Sequence, residues 1–195
     1  MASYTWATAL DAQRSLVPIA QTRDVFRARL DRFYREMAGS SWCETDNALL
    51  TSIVGEIGNN CFDHNLGQWR DEPGCWFDWS PILNNSILWI VVADRGQGVR
   101  ASLGRVDPSI HTDQDALDAA FSRILSGRSP EKRGNGLKFV KQIVNGDSKR
   151  GLLFLSGMGR IVLGHLGASL EKYVPDPPGR QNVPGTWALL VGEKS

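Results

Sequence analysis

One apolar run constrains the fold of this chain more than any other feature. Residues 87–93 read Ile-Leu-Trp-Ile-Val-Val-Ala, and the run ends directly in Asp94. A continuous apolar run of this length is typical of a strand that is buried on both faces. The sequence therefore predicts a covered sheet that carries an acidic side chain at the rim of its core.

Helical and strand patterns surround this run. Apolar residues recur at helical spacing from Thr22 to Met37 and from about Glu44 to Asn65. Trp76–Ser80 and Ile87–Ala93 predict a hairpin, because turn-forming residues separate them. Further elements are predicted as an edge strand at Leu16–Ala20, helices at Asp113–Ser126 and Gly136–Val144, and strands at Leu152–Leu155, Arg160–Leu163 and Thr186–Val191. Helices grouped with a mixed, mostly antiparallel sheet predict a two-layer α+β sandwich with its helices on one face.

Composition narrows the class of protein. A chain of 195 residues with 42% hydrophobic residues is expected to form one domain over 1–195. The net charge of +1, without a block of like charges, argues against nucleic-acid and membrane partners. Three cysteines without metal-ligand spacing exclude a disulfide scaffold or a zinc site. Without a signal-like N-terminus or a run of ~18 apolar residues, the sequence predicts a soluble cytoplasmic protein.

The helix predicted over residues 44–65 has an unusually polar edge. Glu56, Asn60, Asp63 and His64 cluster beside its apolar stripe. Glu56 and Asn60 lie one turn apart, so both side chains can point into one small volume. There the carboxylate could activate water or a hydroxyl group, and the amide oxygen could ligate Mg²⁺. The alternative is an ordinary amphipathic helix whose polar edge is solvated.

The residues that follow the buried strand form the second motif. Gly96 and Gly98 allow a tight turn after Asp94, with backbone close to a flat ligand. Gly96–Ala101 also fits the dinucleotide fingerprint G-x-G-x-x-G/A. That alternative is disfavoured, because residues 99–133 contain no second apolar strand. A plain turn with a solvated Asp94 remains open.

The third motif is a glycine-containing loop that enters a helix. Arg133–Leu137 precedes an apolar helical pattern, so its free N–H groups would lie at a positive helix N-terminus and could hold phosphate oxygens. The Walker pattern G-x-x-x-x-G-K-S/T is absent from the sequence. A P-loop nucleotide site is therefore excluded.

Together these motifs resemble those of the GHKL ATPases, which share the Bergerat fold. Glu56-x-x-x-Asn60 looks like the N box of that family, and Asp94-x-Gly96-x-Gly98 like its first glycine box. Gly134-x-Gly136-Leu137 looks like the second glycine box, and Gly185-Thr186 like the last box. The resemblance covers about residues 20 to 193.

The resemblance implies a role for each motif. Asp94 would accept the adenine amino group, Asn60 would ligate Mg²⁺, and Glu56 would be the general base. The glycines would pass the phosphates by backbone contact, and Thr186 would support the adenine site. The implied ATP-binding residues are Asn60, His64, Asp94, Gly96, Gly98, Gly134, Asn135, Gly136, Leu137 and Thr186.

Within the family, the chain is most similar to the anti-sigma-factor serine kinases. In that form a histidine lies four residues after the magnesium asparagine, as His64 lies after Asn60 here. Residues 99–133 would form an ATP lid, and residues 1–40 an N-terminal edge strand and helix. The expected function is a Mg·ATP-binding regulatory protein that hydrolyses ATP slowly or phosphorylates Ser/Thr of a partner protein. The alternatives left open are a non-catalytic, ATP-gated binding module and a homodimeric assembly.

Overall fold

The computed structural model describes residues 2–9, 19–71, 73–83, 85–122, 135–173 and 182–194. These residues contain one six-stranded sheet in the order β1-β2-β3-β6-β4-β5. Its strands are β1 (Ile19–Ala20), β2 (Cys75–Ile82), β3 (Ile87–Asp94), β4 (Arg150–Gly157), β5 (Gly159–Leu163) and β6 (Val183–Glu193). Every neighbouring pair is antiparallel, so this sheet has no parallel pair.

Helices cover one face of this sheet and confirm the predicted two-layer α+β sandwich. The helices are α1 (Ala2–Thr8), α2 (Arg23–Ala38), α3 (Glu44–Asp63), α4 (Gly98–Leu103), α5 (Asp113–Ser122), α6 (Gly136–Asn145) and α7 (Gly167–Leu170), and a 3₁₀ turn follows at Glu171–Tyr173. Apolar residues of α2, α3, α5 and α6 form one core with the inner face of the sheet. The antiparallel sheet also excludes the dinucleotide alternative, which needs parallel strands.

The ends of the long helices follow local capping chemistry. The Thr22 hydroxyl accepts a hydrogen bond of 3.3 Å from the Val25 N–H and caps α2. Thr112 and Asp115 cap α5 reciprocally, with bonds of 3.0 and 2.9 Å between each side chain and the other residue's N–H. Helix α3 ends at Asp63, two residues before the predicted Asn65. The Asn65 side chain, rather than its backbone, donates to the Cys61 carbonyl at 2.8 Å.

The opposite face of the sheet is also partly covered, which corrects the expectation that helices lie on one face only. Helix α1 packs there through Tyr4, Trp6 and Ala7. The ring of Tyr4 meets Trp187 edge-on at 5.7 Å, and Ser3 accepts a hydrogen bond of 3.1 Å from the indole of Trp187. A buried Trp187 needs both an apolar cover and an acceptor for its N–H, and α1 supplies both.

Several predicted features extend beyond the residues that the structure describes. The predicted edge strand is observed at Ile19–Ala20, and residues 16–18 lie outside the described ranges. The predicted lid is described only to Ser122, as α4 and α5, and residues 123–134 lie outside. In the described part of the chain, no helix combines the length and the apolar character needed to cross a bilayer.

Candidate functional site

A cleft of about 500 Å³ lies between α3, α4 and α6 and the ends of β3 and β6. The predicted site residues that line it are Glu56, Asn60, His64, Asp94, Gly98, Asn135, Gly136, Leu137 and Thr186. Gly96 does not line the cleft, and Gly134 lies outside the described residues. The polar edge of α3 therefore faces a cavity rather than bulk solvent.

Asp94 is the most enclosed polar residue of the cleft. Only 2% of its surface is exposed, so the alternative of a solvated turn residue is wrong. Its Oδ1 accepts hydrogen bonds from the Gly96 N–H at 2.8 Å and from the Asn65 amide at 3.0 Å. Its Oδ2 accepts a hydrogen bond from the Thr186 hydroxyl. Both oxygens are thus held in fixed directions at the end of β3.

The protonation of Asp94 is set by two opposing effects. Burial raises the pKa of this carboxyl, whereas hydrogen bonds from Thr186, Gly96, Asn65 and Cys61 lower it. Each carboxylate oxygen has more than one acceptor lone pair. A buried, oriented acceptor of this kind suits a flat ligand that presents an N–H donor.

Sequence reasoning missed Asn65, which is the main support of Asp94. Asn65 is 3% exposed, donates to Asp94, and accepts a hydrogen bond of 3.1 Å from the Gln97 N–H. A Cβ added at Gly96 would lie 1.9 Å from Cγ of Asn65. The glycine at position 96 therefore makes room for the Asn65 amide. In the sequence, Asn65 was visible only as a polar residue at the predicted end of the helix. Its role depends on its packing against Gly96 and Asp94.

Two further glycines bring β6 against the turn after β3. Gly98 has φ +78°, and a Cβ there would lie 2.7 Å from the Pro184 carbonyl oxygen. A Cβ at Gly185 would lie 2.3 Å from Oδ1 of Asp94. Side chains at either position would separate β6 from Asp94. The predicted Gly185-Thr186 motif thus places the Thr186 hydroxyl within reach of the carboxylate.

Glu56 points towards the first residue of α6. A Cβ added at Gly136 would lie 2.2 Å from Oε2 of Glu56. Asn135, the N-cap of α6, makes no side-chain capping hydrogen bond. The first N–H groups of a helix have no intrahelical partner, and they carry a partial positive charge. The cleft wall at Glu56 therefore combines a carboxylate with backbone donors.

His64 connects the end of α3 to α4. Its Nδ1 lies 2.9 Å from the Ser102 hydroxyl, and its carbonyl accepts a hydrogen bond from the Gln97 side chain. Burial, and then the nearby charge of Arg105, lower the pKa of His64. Both effects favour the neutral imidazole, which can share a hydrogen bond with the Ser102 hydroxyl without a buried charge.

Residues of α2 also reach the cleft, which sequence reasoning did not anticipate. Arg23 and Arg27 line its mouth, and Arg23 forms an ion pair with Asp63 on α3. The sequence signal was two arginines one helical turn apart on the preceding helix. That spacing became informative only once α2 was placed against α3.

Clusters that could hold a metal through three acidic, histidine or cysteine side chains do not occur among the described residues. The oxygen ligand that the sequence predicted, Asn60, lines the cleft one turn from Glu56. No protein-family model matches the chain, and no curated protein matches its sequence.

Proposed function

We propose that this chain is a Mg·ATP-binding regulatory protein of the GHKL type. It would hydrolyse ATP slowly or transfer the γ-phosphoryl group to Ser/Thr of a partner protein. One observation carries the proposal: residues from four separate motifs, Glu56 and Asn60, Asp94, Asn135–Leu137 and Thr186, line a single cleft.

The adenine end of the proposed site is Asp94. Its carboxylate is buried and oriented by Asn65 and Thr186, so it can accept a hydrogen bond from an exocyclic amino group. Asn65 follows the C-terminal end of α3 at Asp63, and Glu56 lies seven residues before that end, about 10 Å along the helix axis. The proposed base site and phosphate site are therefore at different ends of one elongated cleft.

The phosphate end fits a magnesium ion. Mg²⁺ in nucleotide sites takes one or two protein oxygens and completes its shell with phosphates and water. Asn60 offers such an oxygen in the cleft, and Oδ1 of the adjacent Asn59 is buried without a hydrogen-bond partner in the described structure. When bound, the ion would neutralise charge on the phosphate oxygens. Backbone N–H groups at Gly136 and Leu137 would face the same phosphates.

Glu56 favours an enzyme over a pure binding module. A carboxylate one turn before the proposed magnesium ligand can take a proton from water or from a hydroxyl group of a partner. Nucleotide binding alone has no use for it. In phosphoryl transfer, positioning and charge stabilisation supply most of the rate acceleration. A site that already binds the phosphates and Mg²⁺ therefore needs only one base on a rigid helix to become catalytic.

Incubation with γ-labelled ATP tests the proposal. The purified chain, alone and with lysate or the products of neighbouring genes, should bind ATP and move label into free phosphate or a second protein. If the chain binds ATP but transfers no label, even when candidate partners are present, the ATP-gated module is favoured. Absence of nucleotide binding would refute the proposed function.

A further inference from the structure

The register of α2 against α3 places one arginine at the phosphate end of the cleft. The two helices run antiparallel, because Arg23 pairs with Asp63 while Leu30 lies 3.4 Å from a Cβ built at Gly55. Phe26 occupies the space beside Gly58, between these two contacts. Arg27 lies between Phe26 and Leu30 in α2 and is therefore level with the stretch of α3 between Gly55 and Gly58, within one turn of Glu56.

The charged groups around the cleft leave Arg27 without an ion-pair partner among the described residues, so it is available to bind an anionic ligand. Among the residues that the structure describes, the carboxylates of the cleft lining are Glu56, Asp63 and Asp94, and its cationic side chains are Arg23 and Arg27. Arg23 is engaged by Asp63. Arg27 is exposed, and it makes no hydrogen bond or ion pair with other described residues.

The other three arginines of α2 have partners of their own, and Arg35 donates a hydrogen bond of 3.3 Å to the Asp31 carbonyl. Arg29 donates a hydrogen bond of 2.8 Å to the Phe77 carbonyl, and Arg32 pairs with Glu36 at 2.6 Å on the solvent side. Arg27 has no such structural partner, and it lies at the mouth of a polar cleft. It is therefore suited to bind an anionic ligand. A guanidinium group matches phosphate oxygens with two parallel N–H donors.

We propose that Arg27 contacts the terminal phosphate of the bound nucleotide and makes the site prefer ATP to ADP. This inference rests on the proposed function. The terminal phosphate is the relevant one because Arg27 is level with Glu56, whereas Asp94, the proposed adenine acceptor, is bound by Asn65 beyond the C-terminal end of α3. Arg27 is thus a specificity-determining residue rather than a catalytic base.

Calorimetric titration of MgATP and MgADP into the full chain tests this role. For Arg27→Ala we expect a roughly tenfold loss of ATP affinity, about 1.4 kcal/mol, and less than about a threefold loss of ADP affinity. Arg27→Lys should recover part of the ATP affinity, because it restores the charge without the planar pair of donors. Arg32→Ala, on the same helix and 69% exposed in its side chain, should change neither affinity.

The outcomes separate this inference from the proposed function. Equal losses of ATP and ADP affinity, or an Arg27→Ala variant that binds both like the wild type, would overturn the role of Arg27 alone. A wild-type chain that binds neither nucleotide would overturn the proposed function as well. Because Arg27 is exposed, its variants are expected to fold, and an unchanged melting temperature checks this.

Discussion

The Thr186 hydroxyl on β6 donates a hydrogen bond to the buried carboxylate of Asp94 on the adjacent strand β3. The two residues are 92 positions apart in the sequence, and they meet because Ala93 and Trp187 are register partners in the sheet. This bond is the direct connection between the second and the last sequence motif. It also gives the first prediction.

Replacing Thr186 by Ala should weaken ATP binding about fivefold to tenfold, in line with about 1 kcal/mol for one hydrogen bond. The loss of this donor leaves Asp94 less well oriented and raises its pKa. Thr186→Ser keeps the hydroxyl and is expected to bind ATP like the wild type. Calorimetry on the three proteins decides the matter, and equal affinities for Ala and wild type would contradict the role of the hydroxyl.

Asp94→Asn should abolish ATP binding without destabilising the fold. The asparagine Oδ1 can keep its bonds to Gly96 and Asn65, and its amide can donate to the Thr186 oxygen. In the proposed site, an amide donor would then face the amino group of adenine, which is itself a donor.

At neutral pH the Asp94→Asn variant should be more stable than the wild type. The folded-state pKa of Asp94 is raised by burial, so the carboxyl contributes its full stability only below its unfolded pKa and loses it as pH rises through the folded value. Thermal melting at pH 7 measures this, with the exposed Asp78→Asn as control. A clearly lower melting temperature of Asp94→Asn would contradict the prediction.

Gly136→Ala should reduce turnover while ATP binding persists. The added Cβ would lie 2.2 Å from Oε2 of Glu56, so the flexible carboxylate must swing away from its position. Glu56→Gln is expected to show the same phenotype, and the double variant should lose little more because both changes act on one group. Gly55→Ala, one residue from Glu56 and only in ordinary contact with Leu30, is the matched control and should keep turnover.

Gly96→Ala should destabilise the protein by about 1–3 kcal/mol, because the Asn65 amide must leave its buried hydrogen bonds. ATP affinity should fall with it, since Asn65 also orients Asp94. Urea unfolding gives the stability change. Gly39→Ala is the control: a Cβ there meets its nearest atom at 3.5 Å, and a change within about 0.5 kcal/mol is expected. Equal effects at the two glycines would argue against the crowding at Asn65.

His64 should make stability depend on pH. Its folded-state pKa is lowered by burial and by Arg105. The neutral form is therefore favoured in the folded chain, and stability falls as pH drops from the unfolded pKa of about 6.5 through the lower folded value. His64→Gln should flatten that part of the profile, whereas a change at the exposed His111 should not. Urea unfolding at pH 5 to 8 checks this, and equal profiles would contradict it.

The long elements were predictable because their signals are local. The helical periodicity of α2 and α3 and the apolar run of β3 each lie within one segment, and the structure places these elements close to the predicted bounds. Helices α1, α4 and α7 were missed because each has fewer than eight residues, too short to establish a period. Their formation depends on packing against the sheet or its ends.

The candidate site divides in the same way. The sequence by itself determined the chemistry of the motifs and their order: an acid at the end of a buried strand, a carboxylate and an amide one helical turn apart, and glycines before a helix. Only the tertiary structure decided that Asn65 supports Asp94, that Gly96 makes room for Asn65, and that Arg27 reaches the cleft. Those contacts join segments whose proximity is fixed by strand register and helix packing, and neither can be read from the spacing of residues along the chain.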